Sequence, residues 1–194
     1  MQKLVLWLAR LMAVVGGVVL SLLILLTCVS VLGRSINTIL HMPWVENLLG
    51  GFTQTLLDTS VGPVTGDFEL VEAGIAFAIF AFLPLCQITG GHASVDIFTS
   101  KLSPQINRVI QLAGEVLFAF AMVLIAWKLY DGMLGKMRYN ETTFLLQFPV
   151  WWAYALSLFG AVLASIVAIY VAGVRLVETF TGRTILTSFG GAEH

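Results

Sequence analysis

Charge is what this sequence lacks most. Asp, Glu, Lys and Arg make up 11% of its 194 residues, where soluble domains carry about 25%. A chain of this size cannot build a water-compatible exterior from so few charges, whereas an apolar solvent removes the difficulty. The mean hydropathy of +0.93 agrees. The formal net charge is -1. No basic stripe is available to neutralise phosphates, which argues against nucleic acid as a partner.

Cysteine and histidine are scarce as well. Cys28 and Cys86 lie in apolar runs and read as small buried hydrophobes rather than a disulfide. His41, His92 and His194 all fall outside the apolar runs, which removes a bis-histidine haem. Gly-x-Ser-x-Gly, a phosphate-binding loop and paired-cysteine metal motifs are missing. Neither enzymatic activity nor a cofactor is expected.

What the sequence has is long apolar runs. A helix needs about 20 apolar residues to cross a hydrocarbon core. Four segments qualify: 11–32, which is uncharged; 68–88; 109–127, which holds Glu115; and 150–174, uncharged until Arg175. Lys3 and Arg10 before the first run give it the look of a secretory signal. The run is too long for that, and no small-residue cleavage site closes it, so it reads as a retained span. The runs are continuous blocks without the alternation of a membrane β-barrel, and backbone groups in lipid must be satisfied within the segment. The expected fold is therefore an all-α membrane protein: one domain over residues 1–194, with four transmembrane helices plus short interfacial amphipathic helices.

Three segments suit those interfacial helices. Residues 1–10 carry Lys3 and Arg10 on one face, and would lie along the interface before turning inward near Gly16-Gly17. Residues 44–57 fall in a long first loop, 33–67, though Gly50-Gly51 weakens a helix there. Val95, Phe98 and Leu102 share a face before a break at Pro104. The third loop is read as 131–148, after which Trp151, Trp152 and Tyr154 sit where aromatic residues anchor at the headgroup boundary. With both termini inside, Lys3, Arg10, Lys101, Arg108, Arg175 and Arg183 are cytoplasmic, against Arg34, Lys128, Lys136 and Arg138 outside. That bias favours cytoplasmic termini.

Carboxylates in or near lipid are costly and turn towards protein or water. Glu69 and Glu72 share a face at the start of the second run, and Glu115 lies about two turns into the third. They suit an ion site, a headgroup-level position favouring the helix N-terminus, or pairing with another helix or subunit. His92 and Asp96 are four apart. Two ligands without a third rarely hold a metal, so a local hydrogen bond at a helix start is the simpler reading, with a partner contact as the alternative. Gly160, Ala161, Ala164, Ser165, Ala168, Ala172 and Gly173 pepper the last run. Such residues let helices approach closely, within this chain or between chains.

In order along the chain, these pieces resemble the small membrane subunit, or DctQ-like small permease, of tripartite ATP-independent periplasmic (TRAP) transporters. A short basic N-terminus precedes the first span. Glu69-Leu70-Val71-Glu72 opens the second span, and Gly91-His92 with Val95-Asp96 closes it, like the family's Gly-His-x-x-Val-Asp signature. Glu141-Thr142-Thr143 and then Pro149-Val150-Trp151-Trp152-Ala153-Tyr154 lead into the last span. Two departures stand out: a long first loop, and Gln87-Ile88-Thr89-Gly90 where the family often has a basic residue before Gly-His.

The resemblance implies four helices in the bacterial inner membrane with both termini cytoplasmic. Its partners would be a large TRAP membrane subunit and a periplasmic substrate-binding protein, with the first and third loops on the periplasmic side. The large subunit would hold the substrate and ion sites and take up an organic anion on an ion gradient, such as sodium, without ATP. This chain would act as scaffold. Glu72 and Glu115 would then face protein, while His92 and Asp96 would organise the turn after the second span. Two other classes stand beside this one: a four-helix anchor or assembly subunit of another membrane complex, and a self-contained small transporter.

Overall fold

A computed structural model describes residues 2–42, 62, 64–90 and 104–181. Four helices account for most of them: α1 (Gln2–Leu40), α2 (Asp67–Thr89), α3 (Pro104–Arg138) and α4 (Trp151–Thr181). All four are long and apolar enough to cross a membrane, which makes the chain a multi-pass, all-α membrane protein.

The helices outrun the expected spans. At 1.5 Å per residue, the 39 residues of α1 give a rod of about 58 Å, well beyond the roughly 30 Å of a hydrocarbon core. α1 is continuous through Gly16-Gly17, so residues 2–10 are its first turns and not a separate interfacial helix. Apolar residues on both sides of the glycine pair keep the helix running, and Gly16 packs against Ala81 of α2. α1 also continues to Leu40 and α3 to Arg138, so the first and third loops are shorter than the expected 33–67 and 131–148. Residues 44–57 and the segment carrying Val95, Phe98 and Leu102 lie outside the described residues. Pro104 opens α3. A proline suits the first helical position, where its missing N–H has no partner to lose. At the end of α2, Gly90 takes the left-handed conformation (φ 65°) and its N–H donates to the carbonyls of Cys86 and Gln87, the usual stop for a helix.

The helices stand in the spatial order α1, α2, α4, α3. α1 runs antiparallel to α2, with Ala9 near Ile88 at one end and Ser30 bonded to Asp67 at the other. α2 and α4 run parallel, and α3 returns antiparallel to α4. The start of α1 and the end of α4 therefore lie at the same end of the molecule. Of the most apolar stretch of each helix, 44% is buried in α4 and 33% in α2, against 11% in α1 and 6% in α3. The two parallel helices are the centre, and α1 and α3 turn most of their apolar surface outward. Leu117 and Phe120 on α3 are examples, more than 60% exposed. In water this would be an aggregation hazard; in a bilayer it meets lipid or another chain.

Small residues set the spacing. Ala161, Ala164 and Ala168 are all but inaccessible. A Cβ on Gly160 would fall 2.9 Å from Phe80 Cβ and 3.4 Å from its carbonyl carbon. Likewise a Cβ on Gly16 would fall 2.8 Å from Ala81 Cβ. The stripe on α4 thus packs within the chain from Gly160 to Ala168, while Gly173 faces open space. Neither cysteine is in a disulfide, and Cys28 lies on an exposed face rather than buried.

Gly160→Leu drives a side chain into the backbone of α2, and overpacking of this kind costs about 1–3 kcal/mol. An SDS titration of the purified protein is expected to show earlier loss of helix packing for Gly160→Leu and an unchanged midpoint for Gly173→Leu.

Candidate functional site

Side-chain contacts between elements fall at two levels of the bundle, one near the start of α2 and one near its end. At the end where α2 begins, the chain between α3 and α4 folds back as a small hairpin. Thr142 and Pro149 form an antiparallel bridge. Thr143 N–H donates to the Phe148 carbonyl at 2.9 Å, and Val150 N–H to that of Glu141 at 3.0 Å. Asn140 and Gln147 take positive φ, 49° and 53°, as Asn and a turn position allow. Lys136 Nζ reaches back from α3 to Glu141 at 2.5 Å.

Glu69 pins this hairpin to α2. It lies two residues inside the helix, is 5% exposed, and its two carboxylate oxygens accept the backbone N–H groups of Leu145 (2.6 Å) and Leu146 (3.0 Å). Hydrogen bonds to an ionised acceptor are the strong ones. Beside it, Gly66 sits in the left-handed region (φ 75°), and a Cβ there would fall 2.4 Å from Leu146 Cγ. Any residue with a side chain would face both backbone strain and the leucine. The motif pieces at Glu69, at Glu141-Thr142-Thr143 and at Pro149 are thus one structure, joined across more than 70 residues of sequence.

Asp67 secures the neighbouring helix. Its carboxylate accepts Ser30 Oγ from α1 at 2.5 Å and lies 3.5 Å from Arg34 Nη2. Ser30 is fully buried. Nothing in the sequence pattern singled out Asp67 or Ser30. The available signal was a hydroxyl in an apolar span, too common to be informative by itself.

Towards the other end, the Gln87 side-chain amide of α2 donates to the carboxylate of Glu115 on α3. Glu115 therefore meets a group of its own chain, the amide of Gln87. Arg175 pairs with the buried Glu178 on α4 at 3.0 Å. His92 and Asp96 lie outside the described residues. Trp151 and Trp152 pack edge to face, with ring centroids 6.1 Å apart, and Trp152 is half exposed, as an interfacial anchor would be. Tyr154 instead lays its ring over Gly132 of α3.

Glu72 stands apart. It is exposed and lines a groove of about 490 Å³ between α2 and α3, with Ala76 and Phe80 of α2, Leu129 of α3, and Tyr154 and Ser157 of α4. The hairpin closes one end through Thr143, Phe144 and Phe148. Among the described residues, no group of three or more histidine, cysteine or carboxylate side chains is placed to hold a metal.

These features define a four-span membrane protein in which several charged groups fasten one element to another. The sequence profile of the family described as tripartite ATP-independent periplasmic transporters, DctQ component, matches residues 23–179. The chain belongs to that family and is a small membrane component of a TRAP-type transporter. Neither curated proteins nor solved structures yield a match.

Replacing Glu69 by alanine leaves the N–H groups of Leu145 and Leu146 without their acceptor. Chymotrypsin is expected to cut at Phe144, 88% exposed, sharply faster in Glu69→Ala than in the parent. Glu72→Gln should leave the rate unchanged, since Glu72 makes no bond to the hairpin. Equal rates in all three proteins would show that the carboxylate does not hold the loop.

Proposed function

We propose that this chain is the scaffold subunit of an ion-gradient-driven importer of an organic anion, working with a large permease subunit and a periplasmic binding protein. The family supports the kind of complex. The observation that carries the scaffold role is how its polar groups are used. Ser30 with Asp67, Gln87 with Glu115, Glu69 with the hairpin, and Lys136 with Glu141 are each spent on holding one element against another. A transporter acting alone needs polar groups free to line a path through its own spans, and in the described residues these groups bond to neighbouring elements instead. The large outward apolar faces of α1 and α3 suit a subunit that meets lipid on one side and a larger protein on another.

In this reading the protein sits in the inner membrane with both termini cytoplasmic, which agrees with the lysine and arginine distribution. The hairpin and the start of α2 are then periplasmic, where a binding protein arrives. Glu115 braces α3 against α2, and His92 and Asp96 organise the cytoplasmic turn between them. The substrate sites and the ion sites belong to the large subunit.

Three reconstitutions test this. Liposomes holding this chain alone are expected to show no uptake. Liposomes holding the chain with the large permease encoded beside it, supplied with the matching binding protein and a sodium gradient, should accumulate an organic acid without ATP. Substrate uptake by the chain alone would replace the scaffold reading with that of a self-contained transporter. Recovery with an oxidoreductase in place of a permease would replace it with that of an anchor.

A further inference from the structure

We infer that the groove between α2 and α3 is a docking slot for a membrane helix of the large permease subunit, and that this helix presents a basic side chain to Glu72. The inference rests on the scaffold reading above.

The first argument is a census of carboxylates. Asp67, Glu69, Glu115, Asp131, Glu141 and Glu178 each have a hydrogen-bond or ion-pair partner in the chain. Glu72 is the one described carboxylate with none. It is not at the very edge of the protein either. Five residues beyond Asp67 along α2, it lies about 8 Å further into the helix, between apolar neighbours. A carboxylate in that setting is favoured by a cation brought to it once water is excluded.

Shape gives the second. α2 and α3 are joined by Gln87 and Glu115 towards one end and stand apart towards the other, with α4 as floor and the hairpin as cap. The wall below Glu72 is Ala73 and Ala76, then Phe80. Alanines at this position let an incoming helix approach the backbone of α2, which is how helices gain contact in lipid.

Charge selects among occupants. An organic anion would be repelled by Glu72. A zwitterionic phospholipid offers an amine to Glu72 but brings a phosphate with it, and among the described residues no lysine, arginine or histidine lines the groove to receive that phosphate. A helix bearing one lysine or arginine satisfies the carboxylate and leaves nothing charged unpaired.

The test uses the intact chain co-expressed with its large subunit. A photoreactive benzoylphenylalanine replaces Phe68 on the rim of the groove, and Glu72→Lys and Glu72→Gln are made separately. Expected are an adduct between position 68 and one helix of the large subunit, and recovery of that subunit lowered about tenfold by Glu72→Lys and less by Glu72→Gln, the scale for losing a desolvated charge pair. Changing a lysine or arginine of the adducted helix to glutamate should restore recovery with Glu72→Lys. The thermal unfolding of each Glu72 variant purified alone should match the parent, which separates lost docking from lost folding. An adduct to phospholipid only, or undiminished recovery with Glu72→Lys, overturns the docking slot and leaves the scaffold reading standing. If the unmodified chain recovers no large subunit, both fall together.

Discussion

Everything in this molecule depends on how closely α2 and α4 approach. In lipid the hydrophobic effect does not press helices together, because acyl chains are as apolar as leucine. Contact must come from van der Waals packing, and that requires backbones brought near. Gly160 against Phe80 and the inaccessible Ala161, Ala164 and Ala168 supply it. With α2 and α4 fixed side by side, α1 is laid on α2 through Gly16 and Ala81, and α3 on α4 through Ala119 and Met122. The outer helices owe their position to the inner pair.

Polar groups then choose the register. Helices packed through small residues can slide, since one alanine resembles the next. Asp67 with Ser30 ties α1 to α2 at one level, and Gln87 with Glu115 ties α2 to α3 at another. Glu69 adds a different kind of tie, from a helix to backbone N–H groups of a loop distant in sequence. Side-chain hydrogen bonds in apolar surroundings are directional, so a slip of one residue breaks them. The fold is thus spaced by glycine and alanine and indexed by a few carboxylates.

The same division explains the surface. Having spent most of its charge on internal ties, the chain exposes broad apolar faces on α1 and α3 and leaves Glu72 in an open groove. A protein of this design gains its function from what it is placed against. That matches a family defined by a component of a multi-part transporter.

Much of this was legible in residue order. Four uninterrupted apolar runs specify four spans, because every run of that length and character has one low-energy form in a bilayer. The acidic start of the second run, the Glu-Thr-Thr before the last, and the aromatic cluster at its opening point to the family. The residues at which the helices stop were not legible: a helix can continue past its apolar stretch at little cost, as α1 and α3 do, and a glycine pair such as Gly16-Gly17 need not end a helix that packs on a neighbour. Nor could sequence say which carboxylates are spent. Glu69 and Glu72 are three residues apart with the same chemistry, yet one is buried under a hairpin 76 residues away and the other faces an open groove. That difference arises only when α3 and α4 bring residues 141–150 back over the start of α2. Local pattern determined what this protein is made of and where it resides; long-range contact decided which of its charges are already in use.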